Sequence, residues 1–225
     1  MLSIDQIIRS RRKTLAVGLT PEGRVLVRAP LRATHAQINA FVEQHSAWIR
    51  THQEAIRSRV GQYVPKTYQP GEQFLFLGKN YPLKLGEQTR PALQFTDGFI
   101  LADIAQPKAE QHFIAWYRAQ ARLIFTRQVI LYAERYNFRY NKIHISSART
   151  RWGSCSCSGT ISFTWRLVMA PLDVIDYVVV HELVHTMEHN HQTRFWKKVE
   201  AILPDYVARQ NWLKTNGSLL PCDFS

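Results

Sequence analysis

His181-Glu182-Leu183-Val184-His185 is the stretch that decides how this chain is read. On a helix, residues four apart lie about 40° apart around the axis and one turn apart along it. His181 and His185 therefore reach one zinc ion at about 2.1 Å each without bending the backbone. Glu182 lies beside them and is the expected general base for a metal-bound water. Chance supplies about 0.02 such pentads in a chain with this histidine content. The residues ahead of the pentad, Val174, Ile175, Val178 and Val179, belong to a buried helix. Such a helix does not carry three ionisable groups at its end without a partner for them.

A catalytic zinc needs three protein ligands and one open position. His189 and His191 are the candidates for the third. His189 falls one more turn along the same face, and three ligands in line on a straight helix cannot surround an ion. Asn190 tolerates the left-handed conformation that ends helices, so His191 sits where the chain folds back. The expectation is His181, His185 and His191 around one Zn²⁺, with a metal helix over 173–190.

Outward from the motif, Pro171 and Asp173 start that helix, and short helices follow at about 192–203 and 205–215 around Leu203-Pro204-Asp205. Phe195 and Trp196 are expected to pack the next helix on the metal helix and hold His191. Upstream, Ile143–Ser147 and Thr160–Met169 read as strands joined by a Ser/Cys/Gly-rich turn. Pro107 opens a long helix to about Tyr136, with Phe113, Tyr117, Ala121, Ile124 and Leu131 as its apolar face. Residues 72–103 alternate as a small β module, with hairpin signals at Gly78-Lys79-Asn80 and Asp97-Gly98. Thr34 and Gln37 form a capping box for a helix running to about Val60-Gly61. Lys13–Leu19 and Arg24–Ala29 read as strands around Thr20-Pro21-Glu22-Gly23. Residues 62–70 look like a linker.

The 225 residues are 45% apolar and 12% aromatic, enough for a large core and against a disordered or fibrous protein. No apolar run approaches the roughly 20 residues of a membrane helix, so no membrane partner is expected. The N-terminal segment lacks the order of a secretory signal. Three cysteines, Cys155, Cys157 and Cys222, give no disulfide framework, and a reduced, cytoplasmic protein is the expectation. Cys-x-Cys without a second pair is a poor zinc spacing, so Cys155 and Cys157 read as free thiols.

The net charge of +12 is unevenly placed. Residues 1–66 and 107–160 each carry net +7, whereas 67–106 and 161–225 each carry net −1. An anionic partner, nucleic acid included, would meet the two basic blocks rather than the metal quarter. Arg149, Arg151 and Arg166 bracket the predicted hairpin near the site. An arginine there would stabilise an oxyanion or clamp a phosphate, so all three are candidate substrate-binding residues.

The segment HELVHTMEHNHQTRFW resembles the HExxH–x5–H–x3–FW pattern of the YgjP-like metallopeptidase domain, whose core is shared with SprT and Spartan-type zinc proteases. RSRRKTLAVGL and VLVRAPL near the N-terminus, RWGSCSCSGTISFTWRLVMAP before the helix, and FWKKV after it are similar to that family's blocks in the same order. The resemblance implies His181, His185 and His191 as metal ligands and Glu182 as catalytic base. It also places Thr160–Arg166 or its hairpin partner beside extended substrate, where main-chain bonds would hold a peptide. The sequence departs from the family at Thr164, where an Asn is frequent.

The expected fold is α+β: a zincin-like (minimal gluzincin-type) metallohydrolase domain over 107–225, with a β-rich N-terminal part over 1–106 carrying one helix. The expected function is a zinc-dependent metallopeptidase acting on peptide or protein. The alternative is a pyrophosphohydrolase of nucleoside triphosphates such as UTP, because a zinc hydroxide attacks phosphorus as well as carbon. A nucleic-acid-binding module with a structural metal is the third reading, and Glu182 argues against it, since a structural site needs no base.

Overall fold

The computed structural model describes residues 2–20, 23–60, 66–87, 90–217 and 220. The chain is α+β, with six α-helices and three small sheets among the described residues. It divides into two compact units, residues 1–65 and 66–225.

In the first unit, strand β3 (Val25–Pro30) lies between β1 (Gln6–Ser10), parallel to it, and β2 (Ala16–Leu19), antiparallel. Val25, Val27 and Ala29 alternate into a core completed by Ile38, Val42 and Ile49. Helix α1 (His35–Gln44) begins at Thr34 with the expected capping box: the Gln37 N–H donates to Thr34 Oγ1 at 3.2 Å, and the Thr34 N–H donates to Gln37 Oε1 at 2.9 Å. The expected single helix is two, because the chain turns at His45 before α2 (Ser46–Val60) begins. β1 is an addition to the expected strands. Pro21 and Glu22 of the expected turn, Gly61 at the expected helix end, residues 62–65 of the expected linker and Cys222 lie outside the described residues.

The second unit starts with β4 (Gln73–Phe76), β5 (Lys79–Gly86), β6 (Leu93–Phe95) and β7 (Phe99–Ala102), in the order β4-β5-β7-β6. The Asp97-Gly98 hairpin stands where its turn residues place it; the other turns at Leu77-Gly78, one residue ahead of the expected Gly78-Lys79-Asn80, since Lys79 and Asn80 already pair in β5. A 3-10 turn, Asp103–Lys108, leads into α3 (Ala109–Tyr136), which ends at Asn137 in the left-handed conformation, φ 56°. The buried stripe of α3 is Phe113, Tyr117, Ala121, Phe125, Val129 and Ala133. This corrects the expected face: Ile124 is only half-buried and Leu131 is exposed. Both are off the stripe that the 3.6-residue period selects.

The β module shares its core with α3 and grips the turn ahead of the metal helix. Phe74 stacks on Phe113 with ring centroids 4.1 Å apart, and the Tyr117 hydroxyl donates to the Leu75 carbonyl at 2.8 Å. The Leu77 and Gly78 N–H groups donate to the Val168 and Met169 carbonyls at 3.0 and 2.9 Å. A Cβ on Gly78 would lie 2.7 Å from Pro171 Cγ, so this close approach, at φ 77°, requires glycine. The chain therefore divides at residue 65 and not at the expected 106, because strands β4–β7 share one core with α3.

The third sheet has the order β8-β10-β9, from β8 (Lys142–Ser146), β9 (Gly153–Cys155) and β10 (Thr160–Thr164). β8 and β10 are parallel and not joined as a hairpin; the hairpin is β9–β10. β10 is shorter than the strand expected over 160–169, since Trp165–Met169 form a buried 3-10 turn. Helix α4 (Leu172–Val184) comes next, then α5 (Thr193–Ile202) and α6 (Tyr206–Asn216).

Candidate metal centre

α4 enters the core almost without a polar face and delivers His181 and Glu182 at its last turn. It stops with His185 as C-cap, short of the residue 190 expected from Asn190. The reason is local: Thr186 turns its hydroxyl back to the Leu183 carbonyl at 2.7 Å, and its N–H donates to the same atom at 3.0 Å. The chain then needs only residues 186–190 to bring His191 back over the helix end.

The structure brings His181, His185 and His191 together. His191 Nε2 lies 3.0 Å from both His185 Nε2 and His181 Nε2, and the three possible ligand atoms fall within 4.8 Å of one another. His185 Nδ1 is 2.9 Å from the Glu188 carbonyl, which can only accept, so that nitrogen carries the proton and Nε2 keeps its lone pair. Nitrogens at about 2.1 Å from one tetrahedral ion would be about 3.4 Å apart, close to what is seen. The donor set fits a bound cation. Burial drives His181 down to about 3, with His185 and His191 adding to the shift, and His185 is lowered chiefly by burial too. Neutral imidazole is the form that ligates a metal.

Glu182 is 5% exposed. Burial raises its carboxyl to about 8, and Arg151 pulls the other way. Its Oε2 is buried without a hydrogen-bond partner among the described residues. Its neighbour is Gly153 of β9: a Cβ there would lie 2.5 Å from Oε1 and 2.7 Å from Cγ. Only glycine lets the edge strand of this sheet run against the carboxylate.

α5 closes the other side. Phe195 is buried with its ring 4.5–4.8 Å from all three histidine rings, and Trp196 Nε1–H donates to the His191 carbonyl at 3.1 Å. Glu188 is held by Arg194 at 2.9 Å and Lys198 at 3.7 Å. One residue thus ties the loop to α5 through its side chain and orients His185 through its carbonyl. Sequence reading misses Glu188 and Gly153. A glycine within a strand is the available signal for the second.

The arginine set comes apart. Arg166 is 3% exposed, with its guanidinium over the Trp165 ring at 4.4 Å and Nη1 donating to the Ser147 carbonyl at 3.2 Å. It belongs to the core, which corrects its expected role in substrate binding. Arg149 and Arg151 are exposed, and Arg151 alone of the three exerts a resolved pull on Glu182. His189, set aside as a ligand, is exposed beside the triad. Cys155 and Cys157 are free thiols, half-buried and exposed. Thr164 is buried and donates to the Ala148 carbonyl at 2.8 Å, a bond that holds the loop before β9.

An α+β unit with a histidine triad at a buried helix end and a carboxylate beside it is the arrangement of a metallohydrolase. The chain belongs to the family described as YgjP-like, metallopeptidase domain, whose model matches residues 13–216. No curated protein matches it. No helix among the described residues is long and apolar enough to cross a membrane.

Proposed function

We propose that the protein is a zinc-dependent peptidase with a zincin-like site, in which His181, His185 and His191 hold the ion and Glu182 is the general base. The observation that carries this reading is the convergence of the three histidine Nε2 atoms at the end of the helix that also carries Glu182, whose buried Oε2 has no hydrogen-bond partner among the described residues. The bound ion would polarise the scissile carbonyl and acidify a water. Glu182 would take the proton from the attacking water and pass it to the leaving amine, and the charge of a bound cation would favour the carboxylate form that this needs. β9 is an edge strand, so an extended peptide can pair with it and lie across Glu182. Arg151, whose charge acts on Glu182, would steady the developing oxyanion.

The test has two parts. Protein purified without chelator should carry about one zinc per chain, and His181→Ala or His191→Ala should lose it. Zinc-loaded wild type should cleave members of an unstructured peptide library, while Glu182→Gln keeps its metal and loses about 10²–10⁴-fold in rate. Cleavage of nucleoside triphosphates in place of peptides, lost in the same variant, would replace the peptidase reading with a pyrophosphohydrolase one.

A further inference from the structure

A cleft of about 310 Å³ opens beside the loop that carries His191, lined by neither the histidine triad nor Glu182. Its walls come from three places: Arg139, Tyr140 and Asn141 after α3, the β9–β10 turn at 156–159, and Thr186 with His189 from the loop that carries His191. None of its lining residues is acidic. The turn is rigid. Ser156 Oγ accepts from the Thr160 N–H at 3.1 Å, the Gly159 N–H donates to the Ser156 carbonyl at 2.9 Å, and the Asn141 N–H donates to the Gly159 carbonyl at 2.8 Å. The side chains of Arg139, Tyr140, Asn141 and His189 make no hydrogen bond or ion pair among the described residues. Polar donors of one electrostatic sign therefore face a shaped space with no internal partner.

Position supplies the rest. β9 runs from Gly153, against the Glu182 carboxylate, to Cys155, and the turn that walls the cleft begins at the next residue. At about 3.3 Å per residue, a peptide paired with β9 that puts its scissile bond at Glu182 carries a side chain into the cleft two or three positions away. We propose that this cleft is the subsite that selects substrate, binding an acidic side chain through a charge-assisted bond to Arg139, with Asn141 and one hydroxyl of the Ser156–Ser158 pair, whose oxygens lie 2.9 Å apart, as further donors. The proposal rests on the peptidase reading for its place in the reaction, and on the cleft's own lining for its chemistry.

Cys157 lines the cleft and has an exposed thiol, which provides a readout independent of hydrolysis. The probe is alkylation of Cys157 by iodoacetamide in the zinc-loaded Glu182→Gln protein, followed by peptide mass. A glutamate-rich decapeptide should slow it about five-fold or more, a lysine-rich decapeptide should not, and Arg139→Gln or Arg139→Glu should abolish the protection. Arg139 is exposed and unpaired among the described residues, so neither variant threatens the fold. Protection by inorganic phosphate but not by the acidic peptide assigns the cleft to a phosphate and overturns the proposal. Protection by neither overturns it as well. In the library, wild type should enrich Asp and Glu two or three residues from the cut, and Arg139→Glu should reverse that to Lys and Arg. Cleavage without such enrichment overturns the proposal. No cleavage at all, with Cys157 still protected by the acidic peptide, ends the peptidase reading and leaves the cleft's preference standing.

Discussion

Helices α3 and α4 pack on the same core in different ways. α3 is 28 residues long and buries eight of them along one stripe; α4 is 13 long and buries nine. α3 keeps an outer face of Arg122, Leu123, Arg127 and Arg135 in solvent. Between Val174 and Val184, α4 leaves only Asp176 and His181 less than buried. The arginines of α3's outer face are ordinary surface, and its one buried amide, Gln128, faces α4. Polar groups on α4 need a reason, and each has one: Asp176 accepts from Gln128 at 2.6 Å, while His181 and Glu182 form the site. Burial raises the Asp176 carboxyl, so the tie between the helices is made at an electrostatic cost. A charge is informative in proportion to how completely its helix is enclosed.

Substitutions can break this contrast. The largest effect is expected at consecutive positions of α4. Val178→Asp, Val179→Asp and Val180→Asp should each unfold the second unit or cost about 3–5 kcal/mol by denaturant melt, since no face offers the charge an exit. On α3 the same scan should alternate, with Phe125→Ala costing about 3–5 kcal/mol.

Gly153→Val is the next test, because its Cβ would meet the Glu182 carboxylate. We expect about 1–3 kcal/mol of destabilisation and a drop in hydrolysis greater than the drop in zinc content.

A third test uses pH. In metal-stripped protein Glu182 stays protonated up to about 8, against 4.5 when unfolded. Between those values the folded chain holds a proton that the unfolded chain has released, so stability falls as pH rises. The stability of wild type minus that of Glu182→Gln should decline across this window and be level below it. His181, lowered to about 3, contributes in the opposite sense, and the subtraction removes it. The smallest effect belongs to Leu123→Lys, 64% exposed, which should shift stability by about 0.5 kcal/mol or less.

The sequence is most legible where one residue type has one use. The capping box at Thr34, the Asp97-Gly98 hairpin and the start of α4 after Pro171 can all be read from it, and the predicted histidines come together in space. It is least legible where a side chain chooses between backbone and solvent. Thr186 ends α4 with a hydroxyl bond to Leu183, an option threonine has in any helix and seldom uses to stop one. Arg166 reads as a surface cation when charge is counted without burial; its guanidinium lies over the Trp165 ring inside the core. Strand β9 is hidden in residues that favour turns, and its three residues are too few to show a period. The boundary expected at 106 fails because a change of pattern from strands to helix is not a change of core.

The grip of Leu77 and Gly78 on Val168 and Met169 also orders events in time. About ninety residues separate the two sides. At about 5–20 residues per second, a ribosome needs roughly 5–20 s to make that stretch. The whole of α3 is made within that interval, and the β4–β5 turn has no partner until Val168 and Met169 follow. The three histidines are made later still. The surface that receives the entrance of α4 is thus synthesised before α4 itself, and α5, which packs on the three histidines, is synthesised after them.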